Sequence, residues 1–333
     1  REVRALPRGF SPPEPGSVEA SGAGDVWDEV SVARAGAAPG QTCRQLAWGP
    51  DAQPDAFVYG CNVESGYRLF SHRGEPVAAS VGGAAQPAWN PAGDEIAFVG
   101  EAGIMRLACR RLGRSCGWGR HRPEVLVKGQ GAEWVRPVWA PGGRLVVERH
   151  PSPRRGELWL VDPSADEVAV PLSRTPGIDR APSVSPKGDR VAWFSRPARA
   201  PGEREGRRRA FGAQEIWVQA LAPGASAVKV ASRAVLAEEG PAWTPDGAAL
   251  VYVKDAARSA DPLVVVEVPE EPSARPKREV LPTGTLSNRD PAIAAAGGRW
   301  RLAVSAVGRR GDDLRRAWRK IYVVDLPGRD AAP

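Results

Sequence analysis

The fold is decided by one stretch, Pro241-Ala242-Trp243-Thr244-Pro245-Asp246-Gly247-Ala248-Ala249-Leu250-Val251-Tyr252. Trp243 ends one predicted strand and residues 250–252 start a second, because β-branched and aromatic side chains favour strands. Residues 244–247 carry the turn, since proline presets one φ angle and aspartate and glycine accept the conformations that remain. The stretch therefore predicts a β-hairpin with a tight turn.

The same pattern recurs along the chain. The other anchors are Leu46-Ala47-Trp48-Gly49-Pro50-Asp51, Pro87-Ala88-Trp89-Asn90-Pro91-Ala92-Gly93-Asp94, Pro137-Val138-Trp139-Ala140-Pro141-Gly142-Gly143, Pro182-Ser183-Val184-Ser185-Pro186-Lys187-Gly188-Asp189 and a degenerate Pro291-Ala292-Ile293-Ala294-Ala295-Ala296-Gly297-Gly298. Positions 48, 89, 139, 184, 243 and 293 are 41 to 59 residues apart, which is the repeat length of propeller blades. A third strand follows each anchor and a fourth follows most of them, so the sequence predicts an all-β, six-bladed β-propeller with four-stranded antiparallel blades.

The sixth unit has only three predicted strands, which end at Asp325. Residues 26–33, Val-Trp-Asp-Glu-Val-Ser-Val-Ala, form a strand that belongs to no unit. If this strand completes the last blade, the ring has no seam of unpaired N–H and C=O groups. We therefore expect a flexible Pro- and Gly-rich tail or linker at residues 1–24, one propeller at residues 25–327 and a C-terminal tail at residues 328–333.

The pattern Pro-x-Trp-x-Pro-Asp-Gly, followed by an aliphatic strand and then by (Ile/Leu)-(Tyr/Trp)-Val-x-Asp, resembles the repeats of TolB-type β-propellers. The resemblance covers about residues 43–326, and the repeats around Trp139 and Trp243 match it best. Only about 40 residues precede the first anchor, so the α/β domain that precedes the propeller of TolB is not expected here. The resemblance implies a bacterial envelope propeller that binds another molecule, usually a protein.

Cysteine positions and composition suggest a compartment. Cys43 and Cys61 are predicted to face each other across one hairpin, and Cys109 and Cys116 flank the tip of another. Two local disulfides in an exported protein of the periplasm or outer surface are the favoured interpretation, and four buried free thiols in a cytosolic protein are the alternative. The chain begins at Arg1 and its only methionine is Met105, so we expect a trimmed product, with a lipid anchor upstream of Arg1 left open. The sequence contains no apolar run of about 18 residues, so it predicts no transmembrane segment.

Catalytic and metal-binding motifs are missing from the sequence. We find no Gly-x-Ser-x-Gly elbow, no Gly-rich phosphate loop and no paired Cys or His spacing that binds a metal, so no cofactor and no metal are expected. The three histidines, His72, His121 and His150, are predicted to lie in solvated loops of different blades. Four of the 12 tryptophans lie outside the repeat positions and are candidates for surface contact: Trp118, Trp134, Trp300 and Trp318.

Basic residues concentrate in the loops between the second and third strands of three blades, at residues 151–156, 196–212 and 308–319. Propeller topology gathers these loops on one face, together with the segments that enter each first strand. The predicted partner-binding residues are Arg154, Arg155, Arg204, Arg207, Arg208, Arg209, Arg309, Arg310, Arg315, Arg316 and Trp318, and those of the channel mouth are Trp134, Arg136, Arg180 and Arg289. An Arg-rich proteome that fills long loops with arginine, rather than selection for binding, is the alternative explanation.

Two functional hypotheses follow. The first is a non-enzymatic envelope binding or scaffold propeller, tethered through residues 1–24, that docks a protein, or else an anionic lipid or glycan, through this basic channel face. Nucleic acid is disfavoured as a partner, because the predicted disulfides argue for an exported protein. The second is an enzyme of the lyase or hydrolase type with its site at the channel mouth.

Overall fold

The computed structural model describes residues 27–30, 43–49, 58–63, 66–71, 74–112, 115–118, 122–128, 132–152, 155–164, 168–175, 177–197, 214–237, 239–256, 261–270, 274–281, 285–296, 299–309 and 320–327. Within these residues the chain forms six four-stranded antiparallel sheets and two short two-stranded ones. No α-helix occurs in this part of the chain, which confirms the all-β prediction.

Each four-stranded sheet is one blade. Blade 1 contains β2 (Cys43–Ala47), β3 (Val58–Val63), β4 (Gly66–Ser71) and β5 (Pro76–Val77). Blade 2 contains β6 (Ala85–Trp89), β7 (Glu95–Gly100), β8 (Gly103–Ala108) and β11 (Glu124–Lys128), with a hairpin of β9 (Arg110–Leu112) and β10 (Ser115–Gly117) inserted before β11. Blade 3 contains β12 (Glu133–Trp139), β13 (Leu145–Ser152), β14 (Arg155–Asp162) and β15 (Val168–Pro171).

The second half repeats this arrangement. Blade 4 contains β16 (Ile178–Val184), β17 (Arg190–Arg196), β18 (Gln214–Ala220) and β19 (Val228–Ala234). Blade 5 contains β20 (Ala242–Trp243), β21 (Ala249–Val253), β22 (Leu263–Glu267) and β23 (Arg278–Val280). Blade 6 contains β25 (Arg289–Ala296), β26 (Arg299–Ala306), β28 (Lys320–Pro327) and β1 (Trp27–Val30), and a small ribbon pairs β24 (Thr285–Leu286) with β27 (Gly308–Arg309).

The N-terminal strand closes the ring, as predicted. β1 pairs antiparallel with β28, with Trp27 opposite Val324 and Val30 opposite Ile321. It supplies the outermost strand of the last blade, which the C-terminal part of the chain does not provide. The ring is therefore closed by strands from both ends of the sequence.

The hydrophobic core consists of layers between neighbouring blades. Buried side chains form six clusters, and each cluster joins two adjacent blades. Phe194 of blade 4 and Tyr252 of blade 5, for example, share one cluster. Because a blade has two apolar faces and no helix to cover them, its core forms only when its neighbours are in place.

Strand direction defines two ends of the ring. The turns between first and second strands, including the quoted turn of blade 5, lie at one end, which we call the turn face. The connections between second and third strands, and the segments that enter each first strand, lie at the other end, which we call the loop face. Four of the predicted basic residues that the structure describes, Arg136, Arg155, Arg180 and Arg289, lie toward the loop face.

Two expectations about the loop face are wrong. β13 extends to Ser152, which pairs with Arg155 of β14, so residues 151, 152, 155 and 156 belong to strands and not to an expanded loop, while residues 153 and 154 lie outside the description. His150 lies within β13 and not in a solvated loop. Proline and glycine predict a loop at this point, but the end of a strand tolerates both residues equally well.

Candidate functional site

Tryptophans of the repeat link successive blades near the turn face. The indole Nε1 of Trp139 donates to the carbonyl oxygen of Ala88 in the preceding blade at 3.1 Å. Trp243 donates to Ser183 at 3.2 Å in the same way, and Trp48 of blade 1 donates to Ala292 of blade 6 at 3.2 Å. These indoles are mostly buried, which agrees with their predicted role in packing between blades.

Turn residues of neighbouring blades also pack on one another. A Cβ placed on Gly188 of blade 4 would lie 2.3 Å from Cγ of Pro141 in blade 3, and Gly188 has a φ of +71°. Arg190 lies over the ring of Trp243 at 5.2 Å and donates through Nη2 to the carbonyl oxygen of Gly247 at 2.8 Å. The Pro-x-Gly spacing thus lets each turn fit against the next.

The turns enclose a cavity of about 1330 Å³ at the channel mouth on the turn face. All six blades contribute to it through the segments around Trp48, Trp89, Trp139, Ser185, Trp243 and Ile293. The residues that define the repeat therefore also form the wall of this cavity.

The cavity extends outward over blade 2. Glu124 and Val125 lie on the outermost strand of that blade and line the cavity, as do Glu95 and Arg106 of its middle strands. Arg106 donates to Glu124 Oε2 at 2.8 Å through Nη2, and its Nη1 lies 3.8 Å from Glu95 Oε1. Pro163 lines the opposite side from blade 3. This radial arm, which we call the blade 2 groove, spans three strand spacings of about 4.8 Å, or roughly 14 Å in total.

The groove has an apolar element on its rim. Val125 is 41% exposed and is one of only three large hydrophobic side chains in the described residues that are strongly exposed. The Glu124 side chain beside it is 64% exposed. A surface that combines an exposed aliphatic side chain with accessible carboxylates can bind a segment that carries both apolar and basic residues.

A second ring of contacts lies deeper in the channel, toward the loop face. Five of the six first strands have a bulge with one positive-φ residue, at Gln45, Gln86, Arg136, Ala181 and Asp290, and in blade 5 Gly240, just before β20, has a positive φ. Gln45 Oε1 accepts from the backbone N–H of Gln86 at 3.0 Å, and Gln86 Oε1 accepts from the N–H of Arg136 at 2.9 Å. A left-handed conformation costs a non-glycine residue about 1–2 kcal/mol, and these bonds between blades offset that cost.

In blade 3, Glu148 supplies the side-chain oxygen that accepts a hydrogen bond from the bulge N–H of the next blade. Arg136 has no acceptor atom for the next blade, and Glu148 Oε2 accepts from the N–H of Ala181 at 2.8 Å in its place. The same oxygen accepts from Arg136 Nη1 at 2.8 Å, while Oε1 is hydrogen-bonded to His150 and lies 3.9 Å from Nε of Arg180. Burial alone would raise the pKa of Glu148, but the charge of Arg136 and the bonds from His150 and Ala181 together lower it below its ordinary value.

The four predicted channel-mouth residues do not form one free surface. Arg136 and Arg180 converge on Glu148 in the loop-face half of the channel. Arg289 pairs instead with Asp261 Oδ2 at 2.7 Å. Trp134 packs edge-on against Trp159 at 6.0 Å, with the Arg149 guanidinium 5.7 Å from its ring. The binding role assigned to these residues stays a prediction.

Most of the predicted basic-face residues lie outside the described part of the chain. Arg155 is the exception, and it donates to Glu157 Oε1 at 2.8 Å while remaining largely exposed. Of Arg309 only the backbone is described, in the β24–β27 ribbon. The side chains outside the description are Arg154, Arg204, Arg207, Arg208, Arg209, Arg309, Arg310, Arg315, Arg316 and Trp318. Trp118 and Trp300 were expected at the surface but are buried.

The cysteines occupy the predicted hairpins. Cys43 is directly opposite Cys61 in the register of β2 and β3. Cys116 is opposite Arg111, so Cys109 is offset from it along the second hairpin. Cys61 and Cys109 are buried, and neither is a free thiol. The side chains of Cys43 and Cys116 lie outside the described residues, so the two pairings stay predictions.

Sequence reasoning missed Glu148 and the blade 2 groove. Glu148 could have been found by aligning the repeats, because the equivalent second-strand positions are small or apolar in the other blades. They are Gly60, Val99, Phe194, Val253 and Ser305. The groove depends on how turns of different blades meet, and no single repeat carries that information.

Among the residues that the structure describes, no helix is long and apolar enough to cross a membrane. Within the same residues, no three His, Cys, Asp or Glu side chains are grouped closely enough to hold a metal ion.

Comparisons with family models and with curated proteins give no match. Among solved structures, a gluconolactonase from Xanthomonas campestris has a TM-score of 0.52 and 13% identity, covering 98% of this chain and 99% of that chain. A protein assigned as TolB from Agrobacterium tumefaciens has a TM-score of 0.50 and 16% identity, covering 86% and 91%. An oligogalacturonate lyase in complex with manganese has a TM-score of 0.50 and 15% identity, covering 98% of both chains. At these identities the likeness shows the fold alone, and the chain is a six-bladed β-propeller.

Proposed function

We propose that this protein is a non-enzymatic binding propeller that takes an extended segment of a protein partner into the blade 2 groove on its turn face. The observation that carries the proposal is the shape of the cavity. It combines a mouth lined by all six blades with an arm that runs outward past Val125.

The dimensions favour a polypeptide over a small molecule. The cavity of about 1330 Å³ is larger than the 300–1,000 Å³ that is usual for small-molecule sites. An arm of roughly 14 Å accommodates about four residues of extended chain at about 3.3 Å each. Proline- and glycine-rich turns present backbone to the cavity, and peptide recognition relies on backbone contacts and on pockets for a few side chains.

Chemistry at the rim defines the partner segment. Val125 offers an apolar contact, and Glu124 and Glu95 offer carboxylates, of which the more exposed is Glu124. We therefore expect a segment with at least one apolar anchor and one arginine or lysine. Lys187, exposed on the blade 4 side of the cavity, can pair with an acidic residue of the same segment.

We place the protein in the bacterial envelope, either in the periplasm or on the outer surface. The two predicted disulfides and the resemblance to TolB-type repeats support this location. In this proposal the loop face, with its predicted arginines, is a second surface for an anionic envelope component.

The test compares two exposed valines on outermost strands. Val125 lies in the groove on blade 2, whereas Val280, which is 53% exposed, lies on blade 5 and does not line the cavity. The full chain and its Val125→Asp and Val280→Asp variants are used to capture partners from a bacterial envelope extract, and captured contacts are mapped by crosslinking and mass spectrometry. We expect the wild type and Val280→Asp to crosslink a partner through turn-face residues and Val125→Asp to lose it.

Two outcomes would contradict the proposal. One is capture that is equal for all three proteins, which would exclude the groove as the contact surface. The other is the absence of a partner together with turnover of a glycan or peptide library by the full chain, which would favour the propeller-enzyme hypothesis.

A further inference from the structure

The direction of β1 places its first residue, Trp27, at the turn face of blade 6. Trp27 is opposite Val324, Val324 is opposite Leu302, and Leu302 is opposite Ile293, which lines the cavity. β1 runs from the turn face toward the loop face, so the chain preceding Trp27 leaves blade 6 at the turn face. The distance across these four strands is about 14 Å, which is three strand spacings.

We infer that residues 1–16 of this same chain occupy the turn-face cavity and its groove when no partner is bound. Residues 1–26 lie outside the described part of the chain, and the argument rests on their length and composition and on the position of Trp27. The inference also rests on the proposed function, because the segment would fill the groove in which the partner binds.

The length of the segment is sufficient. Phe10 precedes Trp27 by 17 residues. A loose chain of this length has a mean end-to-end distance of about 20–25 Å, and a fully extended one reaches about 56 Å. Both values exceed the distance from Trp27 to the cavity wall. The groove lies farther, beyond the channel mouth on blade 2, so it is the extended form of the segment that reaches Val125, and it does so without disturbing the pairing of β1.

The composition of the segment matches the groove. Leu6-Pro7-Arg8-Gly9-Phe10-Ser11-Pro12-Pro13 carries two large apolar residues among three prolines, and Arg4 and Arg8 supply positive charge. Proline favours an extended backbone, so little conformational entropy is lost on binding in an extended groove. Phe10 or Leu6 can cover Val125, while the arginines face Glu124 and Glu95.

The C-terminal segment is the weaker occupant. β28 ends at Pro327 on the turn face, and residues 328–333, Gly-Arg-Asp-Ala-Ala-Pro, follow it. This segment has no large apolar residue to cover Val125 and carries one acidic residue against a single arginine. The large apolar residues and the arginines both make the N-terminal segment a better match for the groove than the C-terminal segment.

A tethered segment competes strongly with a partner. Short linkers give effective concentrations of about millimolar, so even weak binding keeps the groove occupied. A partner would have to displace the segment, and the segment would therefore set the threshold for binding.

The test uses the full chain with Phe10 replaced by the photoreactive p-benzoylphenylalanine, irradiated in dilute solution without any partner. We expect crosslinks within one molecule to residues that line the groove, including Val125 and its neighbours. A Val125→Asp substitution should lower their yield by about fivefold, because an apolar contact is lost and a carboxylate is placed against the ring. The matched Val280→Asp substitution should leave the yield unchanged.

Crosslinks to the loop face, crosslinks only between molecules, no crosslink at all, or equal yields in both valine variants would each overturn the inference. Because no partner is present, this result is independent of partner capture. If a partner is lost in Val125→Asp while Phe10 crosslinks elsewhere, the groove binds a partner but not the N-terminal segment.

Discussion

Substitution of Glu148 should destabilise the ring between blades 3 and 4. The side chain is 0% exposed, and its two oxygens hold Arg136, His150 and the N–H of Ala181. Glu148→Ala leaves Arg136, which is only 13% exposed, without its carboxylate, and removal of one partner of a buried pair costs about 3–5 kcal/mol. Loss of the acceptor for the N–H of Ala181 costs about 1–3 kcal/mol, but part of this cost is already included in the cost of breaking the buried pair. We therefore expect Glu148→Ala to lower the free energy of unfolding by about 4 kcal/mol in total.

Glu148→Gln separates charge from hydrogen bonding. The amide oxygen still accepts from Ala181, whereas the charge opposite Arg136 is lost, and about 2 kcal/mol is the expected cost. Thermal unfolding monitored by circular dichroism should show a Tm lowered by about 8 °C for Glu148→Ala and about 4 °C for Glu148→Gln, at roughly 2 °C per kcal/mol for a chain of this size. Glu157→Gln, on the next strand of the same blade and partly exposed, is the control and should change Tm by less than about 2 °C.

The difference between wild type and Glu148→Gln should also depend on pH. The folded-state pKa of Glu148 lies below its ordinary value of 4.5, so as pH falls below this value the unfolded chain binds a proton before the folded chain does. The stability that the ionised carboxylate contributes is therefore fully present above about pH 5 and is lost as pH falls toward the folded-state pKa. Equal Tm values of wild type and Glu148→Gln at neutral pH, or a difference that does not narrow below pH 4.5, would refute this account of the cluster.

Three other substitutions or treatments test the packing of the ring. Trp139→Phe removes an indole hydrogen bond between blades, whereas Trp89 Nε1 has no acceptor in the described residues. The free energy of unfolding in urea should therefore fall by about 1 kcal/mol more for Trp139→Phe than for Trp89→Phe. Equal losses would show that the bond does not stabilise the ring. Gly188→Ala should destabilise the protein by about 2–3 kcal/mol, because the new methyl group would clash with Pro141 and a positive φ is strained for alanine. Gly224→Ala is the control. It has no atom within 4 Å of its Cβ, so it should cost only the backbone strain of about 1 kcal/mol. Reducing agent should lower Tm modestly if both predicted disulfides exist, and an intact mass with four free thiols would remove the support for an envelope location.

The sequence predicts the fold well because the repeat supplies the same information six times. Each anchor has turn chemistry and a packing aromatic or aliphatic residue, so a weak copy such as that around Ile293 is recognised from its spacing. The closing strand follows from counting, because a ring of four-stranded blades has no place for an unpaired strand. The expectations that fail concern a strand end, where Ser152 pairs with Arg155 in place of a loop, and two tryptophans, Trp118 and Trp300, which are buried and not at the surface.

The candidate site could not be predicted in the same way. Glu148 lies on a second strand, and its role arises because Arg136, on the first strand of the same blade, cannot accept a hydrogen bond from the next blade. The groove is formed by the fourth strand of blade 2 and by the turns of other blades. Both features depend on contacts between repeats, whereas a repeat pattern describes each unit by itself.

Of the four repeat tryptophans, Trp48, Trp89, Trp139 and Trp243, the one on the blade that carries the groove makes different contacts. In blade 2, the indole N–H of the repeat tryptophan Trp89 finds no acceptor among the described residues, and the ring packs against Trp118 at 5.4 Å. Trp118 follows the inserted hairpin β9–β10, which precedes the strand that carries Val125. The insertion thus replaces a contact that stabilises the ring in other blades and also leads into the outer strand that lines the groove. Residues required for ring closure cannot vary freely with the partner, so binding specificity should depend on the side chains that only blade 2 places at the turn face.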